Sequence, residues 1–129
     1  MQGTTADGER AFASAPASAA PARAWSVAQG RAALAPDGVL AAIELAMSEV
    51  FTNAVRHAAG TTTITVRARA CEGVVTFEVH DQDTTAPHMR SGREGLPGGH
   101  GLRILDALAT DWGWRTSADA KAVWFLFRW

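Results

Sequence analysis

Apolar positions along the chain change their period several times, and each change marks an element. From Asp37 to Gly60 they recur with helical spacing, placing Ile43, Met47, Val50, Phe51, Ala54 and Val55 on one side. Pro36 and Asp37 suit a helix start and Gly60 a C-terminal cap, so one long helix is expected between them. A shorter amphipathic helix is expected over Ala22 to Leu34, with Trp25, Val27, Ala28 and Leu34 on its buried side. The period then drops to two. In TTTITVRARA, Ile64, Val66, Ala68 and Ala70 alternate with Thr63, Thr65, Arg67 and Arg69, and in VVTFEVH the inward set is Val75, Phe77 and Val79. Cys71, Glu72 and Gly73 are left for a tight turn, which makes the two strands a hairpin. Helical spacing returns in GLRILDALA, burying Leu102, Leu105 and Leu108, before two more strands, WGWRTS and AVWFLFRW, joined by ADAK. Helices, hairpin, loop, helix and final hairpin make an α+β layer with the helices on one face of the sheet. The last strand is apolar on both sides, Val123, Phe125, Phe127 and Trp129 against Trp124 and Leu126; it is either a central strand or a surface that meets a partner.

Composition narrows the function. A chain of 129 residues is expected to form a single domain with one core. Residues 1–21, rich in Ala, Ser, Gly and Pro, read as a disordered tail ahead of a domain spanning 22–129. The formal net charge of −1, with basic residues scattered, gives no footprint for nucleic acid or an anionic membrane. No export signal is expected from the N-terminus, and no run is expected to be long enough to cross a bilayer. Cys71 is the only cysteine, which excludes an internal disulfide and fits the reducing cytoplasm. Lys121 is the only lysine, which removes a Walker-type phosphate loop. His57, His80, His88 and His100 lack paired metal-ligand spacing, so a zinc site is not expected. The five tryptophans are not interleaved with basic clusters, which favours core or protein interface over base stacking.

Chemistry concentrates on the long helix. Opposite its apolar side stand Glu49, Thr52, Asn53, Arg56 and His57. Every amphipathic helix has such a wet side, and that reading stays open. Asn is nevertheless a poor helix former, disfavoured by a few tenths of a kcal/mol against Ala. Glu49 and Asn53, one turn apart, offer a base and a neutral oxygen ligand side by side, a set that suits hydrated Mg²⁺ shared with phosphates. Asp81 leaves the second hairpin strand where a carboxylate can accept a hydrogen bond from a base's exocyclic amine. The stretch from Asp81 to Gly101 is long and glycine-rich, as functional lids are, and GGHGL opens a helix whose N–H groups attract anions.

In this order the segments resemble the GHKL ATP-binding fold, most closely the small anti-sigma-factor serine kinases and their actinobacterial single-domain relatives. The matching residues are Glu49 and Asn53 in SEVFTNAVRHA, Asp81 in EVHDQD, Gly99, His100, Gly101 and Leu102 in GGHGLRILDALATDWG, and the terminal KAVWFLF. The resemblance implies a two-layer sandwich with a mixed, mostly antiparallel sheet, and ATP with Mg²⁺ as cofactors. It implies that Asn53 holds the metal, Glu49 is the general base for a partner's serine, Asp81 reads adenine, and Gly99 with Gly101 covers the triphosphate. Arg56 and His57 are candidates for phosphate contact or for partners of the helix dipole. Ala122 stands where the family's last strand has a threonine that helps bind adenine, and His100 where relatives often carry arginine. The implied partners are an anti-sigma antagonist and a sigma factor, with a homodimer suggested by the family and the apolar last strand. Three functions follow: a serine/threonine kinase that also sequesters a sigma factor, a non-catalytic anti-sigma-like module, or a scaffold with a degenerate pocket.

Overall fold

The computed structural model describes residues 6–57, 62–81, 99–117 and 120–129. Strands β1 (Ala6–Ala13), β2 (Thr63–Cys71), β3 (Val74–Asp81), β4 (Asp111–Ser117) and β5 (Ala120–Arg128) form one sheet in the order β1-β2-β3-β5-β4. All four ladders are antiparallel, where a mixed sheet was expected. Helices α1 (Ala19–Ala32), α2 (Asp37–His57) and α3 (Gly99–Leu108) make the second layer, with α2 packed against both others and against β3 and β5. Gly60 lies outside the described residues.

Strand alternation builds the core. Ile64, Val66, Val75 and Phe77 face the helices and are 0 % exposed, and the rings of Phe77 and Phe125 stack with centroids 5.5 Å apart across the β3–β5 ladder. Each such large side chain contributes about 1.5–3 kcal/mol on burial. β5 lies between β3 and β4, so both its edges are paired, while Trp124 and Leu126 on its outer side are half-buried. Trp124, on the outer side, covers Gly113 so closely that a Cβ there would sit 2.8 Å from the indole. The β2–β3 turn uses Gly73 at φ 79°, a conformation glycine adopts without strain. Among the described residues no helix covers the outer face, where Asp7, Glu9, Arg67, Arg69 and Glu78 line a groove of about 460 Å³.

Three expectations need correction. Residues 6–13, read as part of a disordered tail, form β1 along the full length of β2. Its single large apolar residue, Phe12, is buried edge-on against Phe51, and Glu9 and Asp7 meet Arg67 and Arg69 across the strands at 2.7 and 3.5 Å. Cross-strand charges and backbone pairing, more than hydrophobicity, make this strand.

In α1 the buried side is Ala22, Ser26 and Gly30, not the larger residues, because small side chains let α1 approach α2 closely; Ser26 donates to the Ala22 carbonyl at 2.9 Å. Trp25 and Val27 are half-buried and Ala28 is exposed. Leu34 is 84 % exposed because it ends the helix: it adopts φ 66° while the N–H groups of Leu34 and Ala35 bond back to Arg31 and Gly30. Finally, α2 is long and apolar enough by length and composition to cross a bilayer, contrary to expectation. Its apolar residues Ile43, Met47, Val50 and Phe51 are instead buried in the core.

Two outcomes follow from this packing. Phe12→Ala should destabilise the fold by about 3 kcal/mol in urea denaturation, whereas a disordered tail would give no change. Leu34→Gly should stabilise by about 1 kcal/mol, since a left-handed non-glycine residue is strained; an unchanged denaturation midpoint would show that the turn carries no strain.

Candidate functional site

The polar side of α2 is not a uniformly wet stripe. Asn53 is 8 % exposed and Glu49 and His57 are half-buried, while Thr52 and Arg56 face solvent. Helical geometry stacks Glu49, Asn53 and His57 along one line, a turn apart. A buried amide must be satisfied, and Asn53 engages polar partners within the fold.

β3 brings the second part. Asp81 shares the parity of Val75, Phe77 and Val79, so it is turned toward the helices, and it is 2 % exposed. Antiparallel register sets Lys121 of β5 directly opposite, with Nζ 3.7 Å from Asp81 Oδ2 and only 9 % of the lysine side chain exposed. His57 joins this pair from the end of α2. Burial first, and then the positive charges of Lys121 and Arg56, hold its pKa below the ordinary 6.5. Its Nε2 is buried without a hydrogen-bond partner among the described residues. A neutral imidazole and a buried ion pair therefore meet where the polar line of α2 reaches the sheet.

Lys121 is the residue that sequence reasoning missed as part of the site. The signal was there: a lone lysine two positions before Val123 shares the inward parity of Val123, Phe125 and Phe127. Ala122, expected beside the base pocket, pairs with His80 and by alternation belongs to the outer side of the sheet. The neighbour of Asp81 is Lys121. On that outer side Glu78 binds His80 and Arg115 at 2.7 and 3.1 Å. Burial, the largest single influence, raises the Glu78 pKa, but the hydrogen bonds and charges of His80 and Arg115 together outweigh it and leave it lowered.

α3 begins at Gly99, so Gly99, His100 and Gly101 form its first turn, as the sequence implied. The side chain of His100 and residues 82–98, the greater part of the expected lid, lie outside the described residues. Leu102 is 1 % exposed in the core beside Leu105, which leaves its backbone as what it can offer a ligand; Leu108 is only half-buried.

These donors fit a Mg²⁺-nucleotide. Glu49 and Asn53 present oxygen ligands, and among the described residues no three His, Cys, Asp or Glu side chains converge on a metal position. Two such side chains would supply part of an oxygen shell, the arrangement that suits Mg²⁺ completed by phosphates and water. Asp81 offers a buried carboxylate on the inward side of β3. A metal bound there would neutralise phosphate charge.

The depressed pKa of His57 has a consequence for stability. Below about pH 6.5 the unfolded chain takes up a proton that the folded chain resists, so stability falls with pH until the lowered folded pKa is reached. Urea midpoints measured at about pH 7.5 and about pH 5.5 should differ less for His57→Gln than for the unsubstituted chain. An equal difference in both would mean that His57 titrates normally.

A comparison with curated proteins returned no match. The model of one family, the histidine kinase-like ATPase domain, matches residues 12–127. That span runs from the buried Phe12 of β1 to Phe127 of β5 and takes in α2, Asp81 and α3. Members of this GHKL superfamily bind ATP, generally with Mg²⁺. With its two-layer fold and its oxygen donors on α2, the chain belongs to the histidine kinase-like ATPase domain family.

Proposed function

We propose that the chain is a Mg²⁺/ATP-dependent protein serine/threonine kinase of the anti-sigma type. It transfers the γ-phosphate to a serine of an antagonist protein and sequesters a sigma factor until that antagonist competes for it. The observation that carries this reading is the pairing of half-buried Glu49 with buried Asn53 one turn on, facing the end of the sheet that holds Asp81. Phosphoryl transfer asks a protein chiefly for positioning and charge neutralisation, with a carboxylate orienting the nucleophile. Asn53 holds the metal through its amide oxygen. Glu49 accepts the hydroxyl proton of the partner's serine as that oxygen bonds to the γ-phosphorus and the bond to the bridging β-phosphate oxygen breaks, releasing ADP. Asp81 holds the base, and the first turn of α3, with Gly99 and Gly101, holds phosphate oxygens through its N–H groups. This role places the chain and its partners in the cytoplasm, with two copies forming a homodimer.

The second reading, a non-catalytic anti-sigma-like module with weak nucleotide binding, draws on the Lys121 ammonium already beside Asp81. Purified protein, antagonist and labelled ATP decide between the two. On the kinase reading Glu49→Ala lowers phosphate transfer at least about 100-fold, the usual contribution of a general base, while sparing ATP binding. Asn53→Ala abolishes the Mg²⁺-dependent part of ATP binding in calorimetry. Transfer unchanged in Glu49→Ala would remove the base assignment, and no transfer by the unsubstituted chain would favour the binding module.

A further inference from the structure

The Asp81–Lys121 pair is the most deeply buried ion pair among the described residues, with side chains 2 % and 9 % exposed, and it lies on the inward side of β3 and β5. Pairs such as Arg67–Glu9 and Arg115–Glu78 sit on the outer side of the sheet and are much more exposed. A buried carboxylate without a counter-charge is costly, so one residue facing Asp81 had to compensate it. The register sets Lys121 directly opposite to supply a counter-charge, beside the further contact that Asp81 makes.

We propose that Lys121 is the gate of the nucleotide-base pocket: its ammonium serves as resident counter-ion of Asp81 and is displaced when the exocyclic amine of a purine takes the carboxylate. This rests on the reading of Asp81 as the base contact and adds what that contact costs. A charge-assisted bond to an ammonium is roughly twice as strong as one to a neutral amine, so the base alone is a poor competitor for Asp81. The separation of 3.7 Å shows the pair held by charge and not by a short hydrogen bond, which makes exchange feasible. The Lys121 stem is flexible enough to withdraw its ammonium past the start of β5 while its methylenes stay against the sheet. Nucleotide affinity is then set low by the chain's own lysine, and phosphate and metal contacts supply what the base cannot.

Because Lys121 is the sole lysine, amine chemistry reads it directly in the full-length chain. Acylation with a small activated ester, followed by mass spectrometry of the peptide containing Lys121, should be slow in the free protein. It should become several-fold faster with saturating ATP, and unchanged with inorganic triphosphate, which has no base. Slower or unchanged acylation with ATP, or the same response to triphosphate, would overturn the proposal.

Binding of ATP gives the second readout. Lys121→Met should tighten it about tenfold, by removing the competitor, whereas Lys121→Arg, which keeps the charge, should not. Equal or weaker binding in Lys121→Met would also overturn the gate, and should that variant not fold, the acylation arm decides on the unsubstituted chain. ATP binding by the unsubstituted chain with no change at Lys121 would defeat the gate alone. No ATP binding by either chain would defeat the nucleotide reading and the gate with it.

Discussion

The antiparallel pairing of β3 with β5 is the constraint from which both the core and the site derive. One register sets Phe77 against Phe125 in the centre of the core and, four residue pairs further along each strand, Asp81 against Lys121 at its edge. Since side chains alternate strictly along a strand, a slip of one strand by a single residue would turn its member of each pair to the outer face and separate both pairs. Packing of the phenylalanines therefore fixes the orientation of the charged pair, and a polar site is built at no separate cost in backbone geometry. The outer face, by contrast, holds its charges in exposed cross-strand pairs such as Arg67–Glu9, which are worth little individually.

Helix α2 completes this arrangement by serving the core and the polar site at once. Its residues Met47, Val50 and Phe51 are fully buried, while the line Glu49, Asn53 and His57 descends partly buried toward the sheet end. The close seating of α2 against α1 depends on the small residues Ala22, Ser26 and Gly30; a Cβ on Gly30 would lie 2.7 Å from Ile43 Cδ1. Rigid placement of α2 is what a site for phosphoryl chemistry requires, because charge stabilisation acts only from groups held in position beforehand. His57 shows the electrical character of that end: a neutral imidazole is favoured there by burial and by two neighbouring cations.

Strong periodicity made most of the fold legible. The hairpin of β2 and β3, the helices α2 and α3 and the last two strands could all be read from spacing, because each buries a regular set of large apolar residues. The first strand escaped, since ADGERAFA holds one large apolar residue and owes its pairing to Asp7 and Glu9 opposite Arg69 and Arg67. The packing side of α1 escaped for the opposite reason: close helix contact selects alanine, serine and glycine, which hydrophobicity patterns overlook. Within the site, Glu49, Asn53 and Asp81 stood out as polar residues in regular positions. Lys121 did not, because its importance depends on the β3–β5 register, a long-range relation that local spacing does not encode. Ala122 was misplaced for the same reason, by one step of strand alternation.

The central claim is that nucleotide binds where the polar line of α2 meets the edge formed by Asp81 and Lys121. The most direct test is an amide chemical-shift map of the labelled chain titrated with ATP and Mg²⁺. The account predicts saturable changes concentrated in the last two turns of α2, at Asp81, at the start of β5 and in the first turn of α3. Changes confined to the outer groove around Arg67, Arg69 and Glu78, or no changes at all, would contradict it.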